Sequence, residues 1–198
     1  MEVFDGPGFW FDAWPDHLDI KVMALDPSKG ADAKTSDWQA LIFYGRDSAG
    51  VEYVEADMGR RPVVAARGPD GTELTDGMVE HVAREYARFQ PERLAVEVNQ
   101  FQQLLLVPLR SAAHRLNIEM RFTPVDNRVN KQVRIRRLGE ALGQRKMRFK
   151  ANSPGTRKLV DELKAFPSGA TDDGADALEV ARRISIDLYN ARVNDKRR

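Results

Sequence analysis

Two short apolar runs, Val22 to Leu25 in KVMALD and Leu94 to Val96 in RLAVE, each stop on a carboxylate, Asp26 and Glu97. Runs this short, bounded by turn signals, read as strands in the interior of a sheet. An acid ending such a strand is held by the sheet while its side chain meets solvent, a position suited to holding a metal ion. Asp26 is followed by Pro27, and Asp-Pro also starts turns, so this aspartate alone admits both roles.

The rest of the pattern alternates strands with helices. WQALIFYGRDSAGVEYVEADM places two β-rich runs around a polar turn at residues 46–50 and reads as a hairpin. Thr75 is placed to cap a helix in which Met78, Val82, Tyr86 and Phe89 recur at helical spacing, with Pro91 ending it. QFQQLLLVPLRSAAHRL predicts a second helix, with Phe101, Leu105, Leu109 and Leu116 inward and a kink at Pro108. NIEMRFTPV returns to extended structure. NKQVRIRRLGEALGQRKM predicts one helix, its buried stripe Ile135, Leu138 and Leu142, with Lys131, Arg134 and Arg137 on an adjacent stripe. Two more helices follow, one from Ser153 to Ala165 and one in TDDGADALEVARRISIDLYN, where Leu178, Ala181, Ile184 and Leu188 face inward. This order predicts an α/β domain with a mixed sheet.

Composition narrows the chemistry. There are no cysteines, which removes disulfides, thiolate catalysis and cysteine-ligated zinc. His17, His81 and His114 lack ligand spacing, no Walker phosphate loop is present, and Asp37 in TSDWQ reads as turn chemistry. No apolar run approaches the roughly 20 residues that span a bilayer, and the start lacks the build of a secretory signal. Net charge is only +1, but Arg110 to Lys158 holds fourteen Lys and Arg against three acids, Glu119, Asp126 and Glu140. That polarity suggests a basic face for a polyanion, the alternative being a solvated face that happens to be basic.

If the strands of Asp26 and Glu97 lie side by side and parallel, both carboxylates emerge at the edge where open α/β sheets bind ligands. Asp172, Asp173 and Asp176 open the last helix and are candidates for a third group, though acids there also serve as a cap and dipole partner. Carboxylates gathered without His or Cys select hard ions such as Mg²⁺ or Mn²⁺. Two such ions can activate a water and stabilise the leaving oxygen of a phosphodiester.

Four segments, in order, resemble the RNase H-like nuclease domain of the large terminase subunit, the motor-nuclease of tailed bacteriophage DNA packaging. They are VMALDPSKG, LAVEVNQFQ, NKQVRIRRL and TDDGADAL. The resemblance implies an RNase H-like (RuvC-like) mixed β-sheet flanked by helices over residues 19–190. Residues 1–18 would be an irregular lead-in, similar to the segment that joins the nuclease to an ATPase domain, and 191–198 a basic frayed tail. It further implies that Asp26, Glu97 and Asp173 hold two catalytic Mg²⁺ or Mn²⁺ ions, with Asp172 or Asp176 sharing the third position. The RuvC-type Asp-x-x-Asp-Ala-Leu arrangement matches Asp173 through Leu178 and favours Asp173 over Asp172. Lys131, Arg134 and Arg137 would meet DNA phosphates. The implied activity is endonucleolytic cleavage of double-stranded DNA with little sequence preference, in the cytoplasm of an infected bacterial host. Implied partners are a terminase ATPase domain, the small terminase subunit and the portal, the isolated domain being a monomer. No ATPase domain lies within this chain. The alternatives are a RuvC-type nuclease specific for junctions and a non-catalytic DNA-binding module with a structural cation.

Overall fold

The computed structural model describes residues 4, 6–27, 39–66, 68–72, 77–97, 100–127 and 129–196, with only the backbone described for 100–104. The expectations for Thr75, Asp37 and the Phe101 side chain lie outside the described residues. Seven strands form one sheet: β1 (Trp10–Phe11), β2 (Ile20–Asp26), β3 (Gln39–Arg46), β4 (Glu52–Gly59), β5 (Arg93–Glu97), β6 (Phe122–Val125) and β7 (Met147–Lys150). Their spatial order is β1-β7-β4-β3-β2-β5-β6. β3 is antiparallel to both of its neighbours, and every other pairing is parallel. This mixed sheet flanked by helices is the architecture that the RNase H-like resemblance implies.

The β3–β4 hairpin turns where Gly50 takes φ 80° and the Asp47 carboxylate accepts a 2.9 Å bond from the Val51 amide. Positive φ strains a residue with a Cβ, so glycine suits this position. Period-two alternation then divides the core in two. Val22, Ala24, Ile42, Tyr44, Val54, Ala56 and Ala95 face one side. There they pack under α5 (Pro154–Ala165) and α6 (Asp173–Asp195), with Leu159, Leu178 and Ala181 fully buried. Met23, Leu25, Phe43, Leu94 and Val96 face the other side, under α1 (Met78–Phe89) and α2 (Gln100–Arg115).

The inward residues of α1, Met78, Val82, Tyr86 and Phe89, are buried as their spacing predicts, and Gln90 ends the helix in a left-handed conformation. Leu105 and Leu109 are buried on α2, which runs through Pro108. Leu116 is 44% exposed, contrary to expectation, because the helix ends at Arg115 and the chain turns away. The single helix expected over residues 130–147 is instead α3 (Lys131–Arg136), α4 (Leu138–Gly143) and then β7, the break following Gly143 where Arg145 takes φ 53°.

Pairing of β4 with β7 reaches only Val54. The Ala56 amide beyond it donates to the Thr156 hydroxyl at 2.9 Å, and its carbonyl accepts from Ser153 at 3.1 Å, so the start of α5 completes the edge of the sheet. This contact requires Gly155, where a Cβ would stand 2.2 Å from the Ala56 carbonyl oxygen.

The described part of the lead-in packs on the sheet. Phe9 stacks on Phe149 with ring centroids 4.8 Å apart, Trp14 donates to Glu55 at 2.8 Å, and β1 adds a parallel strand to β7. Arg157 lies over the Trp10 ring and Lys150 over Phe11. At the other end, α6 continues helically through Asp195, into the segment expected to be frayed.

Candidate metal centre

β2 and β5 run parallel with Leu25 opposite Val96, so the next residue of each strand, Asp26 and Glu97, ends it at the same sheet edge. By alternation both side chains follow Ala24 and Ala95 toward α6. Asp176, in the first turn of α6, meets them there: one oxygen from each of Asp26, Glu97 and Asp176 lies within 4.8 Å of the others. Asp26 and Glu97 are half-buried and Asp176 is buried. The sheet edge thus assembles the pair anticipated from the strands, and the helix residue that joins them in this trio is Asp176. Asp173 and Asp172 stand beside it, on the solvent side, gathered about Lys131.

The basic stripe faces these acids. The Lys131 ammonium lies 2.7 Å from Asp172, 3.3 Å from Asp173 and 3.9 Å from Asp176. Arg134 forms a two-pronged pair with Asp176, Nη1 to Oδ1 at 2.5 Å and Nη2 to Oδ2 at 3.1 Å. Arg137 Nη1 lies 3.7 Å from Glu179. Thus 131 meets 173, 134 meets 176 and 137 meets 179, a constant offset of 42 residues, as in the Lys131 and Arg134 hydrogen bonds. Such an offset means that the segment from Lys131 to Arg137 and the start of α6 run parallel and match charge for charge.

This ladder corrects one expectation. The Arg134 side chain is only 5% exposed and its guanidinium is committed to Asp176 and to the Val129 carbonyl, so it offers no surface to a DNA phosphate. Arg137, half exposed, and Lys131, one third exposed, do retain surface.

The electrostatics follow from crowding. Burial pushes the Asp176 carboxyl above its ordinary range, and the Glu97 charge adds to this, against the opposing pull of Arg134 and Lys131. Burial alone would lower the Lys131 ammonium, but Asp172, Asp173 and Asp176 outweigh it and raise it. A trio of carboxylates drawn together offers an oxygen-only donor set, which fits hard divalent cations.

Glu162, on α5, carries no local sequence signal for a role here, yet it positions the site. Its carboxylate accepts bonds from the amides of Gly174 at 2.9 Å and Ala175 at 3.3 Å and from the Thr171 hydroxyl at 2.8 Å. Asp172, the N-cap residue, makes no side-chain cap bond, so Glu162 supplies the cap of α6 from a neighbouring helix.

No family model and no curated protein matches the chain. Solved structures do match its fold. The human cytomegalovirus terminase nuclease domain is 12% identical over 90% of this chain and 90% of its own, with a TM-score of 0.56. The large terminase of bacteriophage HK97 is 13% identical over 86% of this chain, with a TM-score of 0.55. This chain covers 40% of that protein. The large terminase nuclease of thermophilic phage G20c, solved with bound zinc, is 13% identical over 90% of this chain and 96% of its own, with a TM-score of 0.51. The chain therefore has the fold of terminase nuclease domains. No helix among the described residues is long and apolar enough to cross a membrane.

Proposed function

We propose that the protein is a divalent-metal-dependent endonuclease that cuts double-stranded DNA with little sequence preference, as a terminase nuclease. The observation that carries this is the meeting of Asp26, Glu97 and Asp176 within 4.8 Å at the carboxyl edge of a terminase-nuclease fold. Asp26 and Glu97 hold the ions from the rigid strand ends and Asp176 from the helix. Asp173 and Asp172 extend the site toward solvent, where a second ion would be shared. When bound, Mg²⁺ or Mn²⁺ supplies a water of lowered pKa and neutralises charge on the reacting phosphodiester. The strands fix the donor oxygens in advance, so binding requires little rearrangement. Lys131 and Arg137 contact phosphates, giving affinity that falls with salt and does not depend on sequence. The bound zinc of the G20c nuclease accords with a cation site on this fold. The same reading brings with it a terminase ATPase domain, the small subunit and the portal as partners, and the cytoplasm of an infected bacterium as the place of action.

The test is nicking of supercoiled plasmid in Mg²⁺, Mn²⁺, Ca²⁺ or EDTA, with Asp26→Asn alongside. Cleavage that requires Mg²⁺ or Mn²⁺ and disappears in the variant is expected. Metal-dependent melting with no cleavage under any ion would instead favour a binding module with a structural cation.

A further inference from the structure

We infer that Arg134 is a positioning residue of the metal centre, its guanidinium orienting the Asp176 carboxylate toward Asp26 and Glu97. The inference rests on the trio being a cation site, as proposed above. Of the three carboxylates, Asp26 and Glu97 are carried on strands hydrogen-bonded into the sheet, whereas Asp176 comes from a helix packed across it. Its carboxyl group would otherwise be free to turn about its own side-chain bonds.

Arg134 removes that freedom by bonding both oxygens at once, at 2.5 Å and 3.1 Å. The fork is fixed in turn, since Nε donates to the Val129 carbonyl at 3.1 Å and Glu179 lies 3.7 Å behind Nη1. Both side chains of the pair are 5% exposed, so neither swings into solvent. An ionised carboxylate offers about four lone-pair sites, so a two-pronged bond leaves one on each oxygen for a cation. A lysine in place of Arg134 would supply charge but not the planar fork. Lys131 differs in kind: it bonds through a single nitrogen, is one third exposed, and touches mainly Asp172 and Asp173. Partners that orient metal-binding carboxylates typically contribute about 10–100-fold to metal affinity.

The experiment measures Mn²⁺ and Ca²⁺ binding by titration calorimetry on the full chain, with circular dichroism melting alongside, for wild type, Arg134→Lys, Arg134→Met, Asp26→Asn and Asp176→Asn. Folded Arg134→Lys is expected to melt nearer to wild type than Arg134→Met while still binding metal roughly 10–100-fold more weakly than wild type. A role confined to stability would lower the melting temperature and leave the affinity of the folded protein unchanged. Unchanged or tighter metal binding in Arg134→Lys, with Asp26→Asn still abolishing it, overturns the assignment but leaves the metal centre standing. Absence of metal binding in wild type overturns both. Should neither Arg134 variant fold, the Arg134 Nε–H resonance of wild type decides the matter. Its displacement on Ca²⁺ addition supports the assignment, and a stationary signal, with binding seen by calorimetry, overturns it.

Discussion

The two faces of the sheet treat their acids in opposite ways. On the α1 face, Asp57 sits between His81 at 2.6 Å and Arg61 at 2.9 Å, and its carboxyl lies below the ordinary range, the His81 bond acting first and Arg61 adding to it against burial. On the α6 face, Asp176 and Glu162 both lie above the ordinary range, burial acting first in each, although both are well hydrogen-bonded. A fold that only needed structural ion pairs would resemble the first face. On the second face burial outweighs the partners, Arg134 and Lys131 for Asp176 and the α6 amides for Glu162, which is the electrostatic difference between the faces.

The largest test of this difference removes one cation from each face. Arg134→Met leaves Asp176 and Glu179 buried without the guanidinium and should lower unfolding free energy by about 3–5 kcal/mol. Arg61→Ala, whose partner Asp57 is one third exposed and keeps His81, should cost about 1 kcal/mol or less. Urea unfolding of both variants checks the pair, and equal losses would erase the distinction between the faces.

A smaller effect probes how α6 is held. Glu162→Ala strands the buried amides of Gly174 and Ala175 and should destabilise the protein by about 1–3 kcal/mol. Hydrogen exchange should then quicken first at residues 174–177, and uniform acceleration across the sheet would refute the capping role.

The smallest effect has opposite signs on the two faces. The raised Glu162 binds protons more readily in the folded state, so its contribution is greatest below the ordinary value of 4.5 and declines as pH rises through the folded value. The lowered Asp57 contributes fully above 3.8, and that contribution is lost as pH falls through its folded value. Between pH 6 and pH 3, wild type should therefore gain stability relative to Glu162→Gln and lose it relative to Asp57→Asn. Urea midpoints across that range check both slopes.

Much of this arrangement was legible in the chain. Asp26 and Glu97 could be found because a buried strand ending on an acid is a local pattern, and parallel pairing then brings the two together. The stripe of Lys131, Arg134 and Arg137 was also legible, but its partner was not. A charged helical stripe faces solvent, DNA or another helix with the same periodicity, and only the packing of α3 on α6 decides between them. For the same reason the residues alone left Asp172, Asp173 and Asp176 open and only the resemblance put Asp173 first, since Asp173 and Asp176 project from one turn and the rotation of α6 selects which one enters the trio. Glu162 gave no signal because it caps a helix to which it does not belong. β7 was hidden because its four residues, MRFK, follow α4 after only Gln144, Arg145 and Lys146, none of which is a turn-forming residue type.

The direction of β1 has a practical use. It runs parallel to β7, β4 and β2, so the chain enters it from the edge opposite Asp26, four strand spacings to the side, roughly 19 Å at the usual separation. A dye placed at Pro7, an exposed residue just ahead of β1, would leave the carboxylate edge clear, which makes this position a handle for single-molecule work.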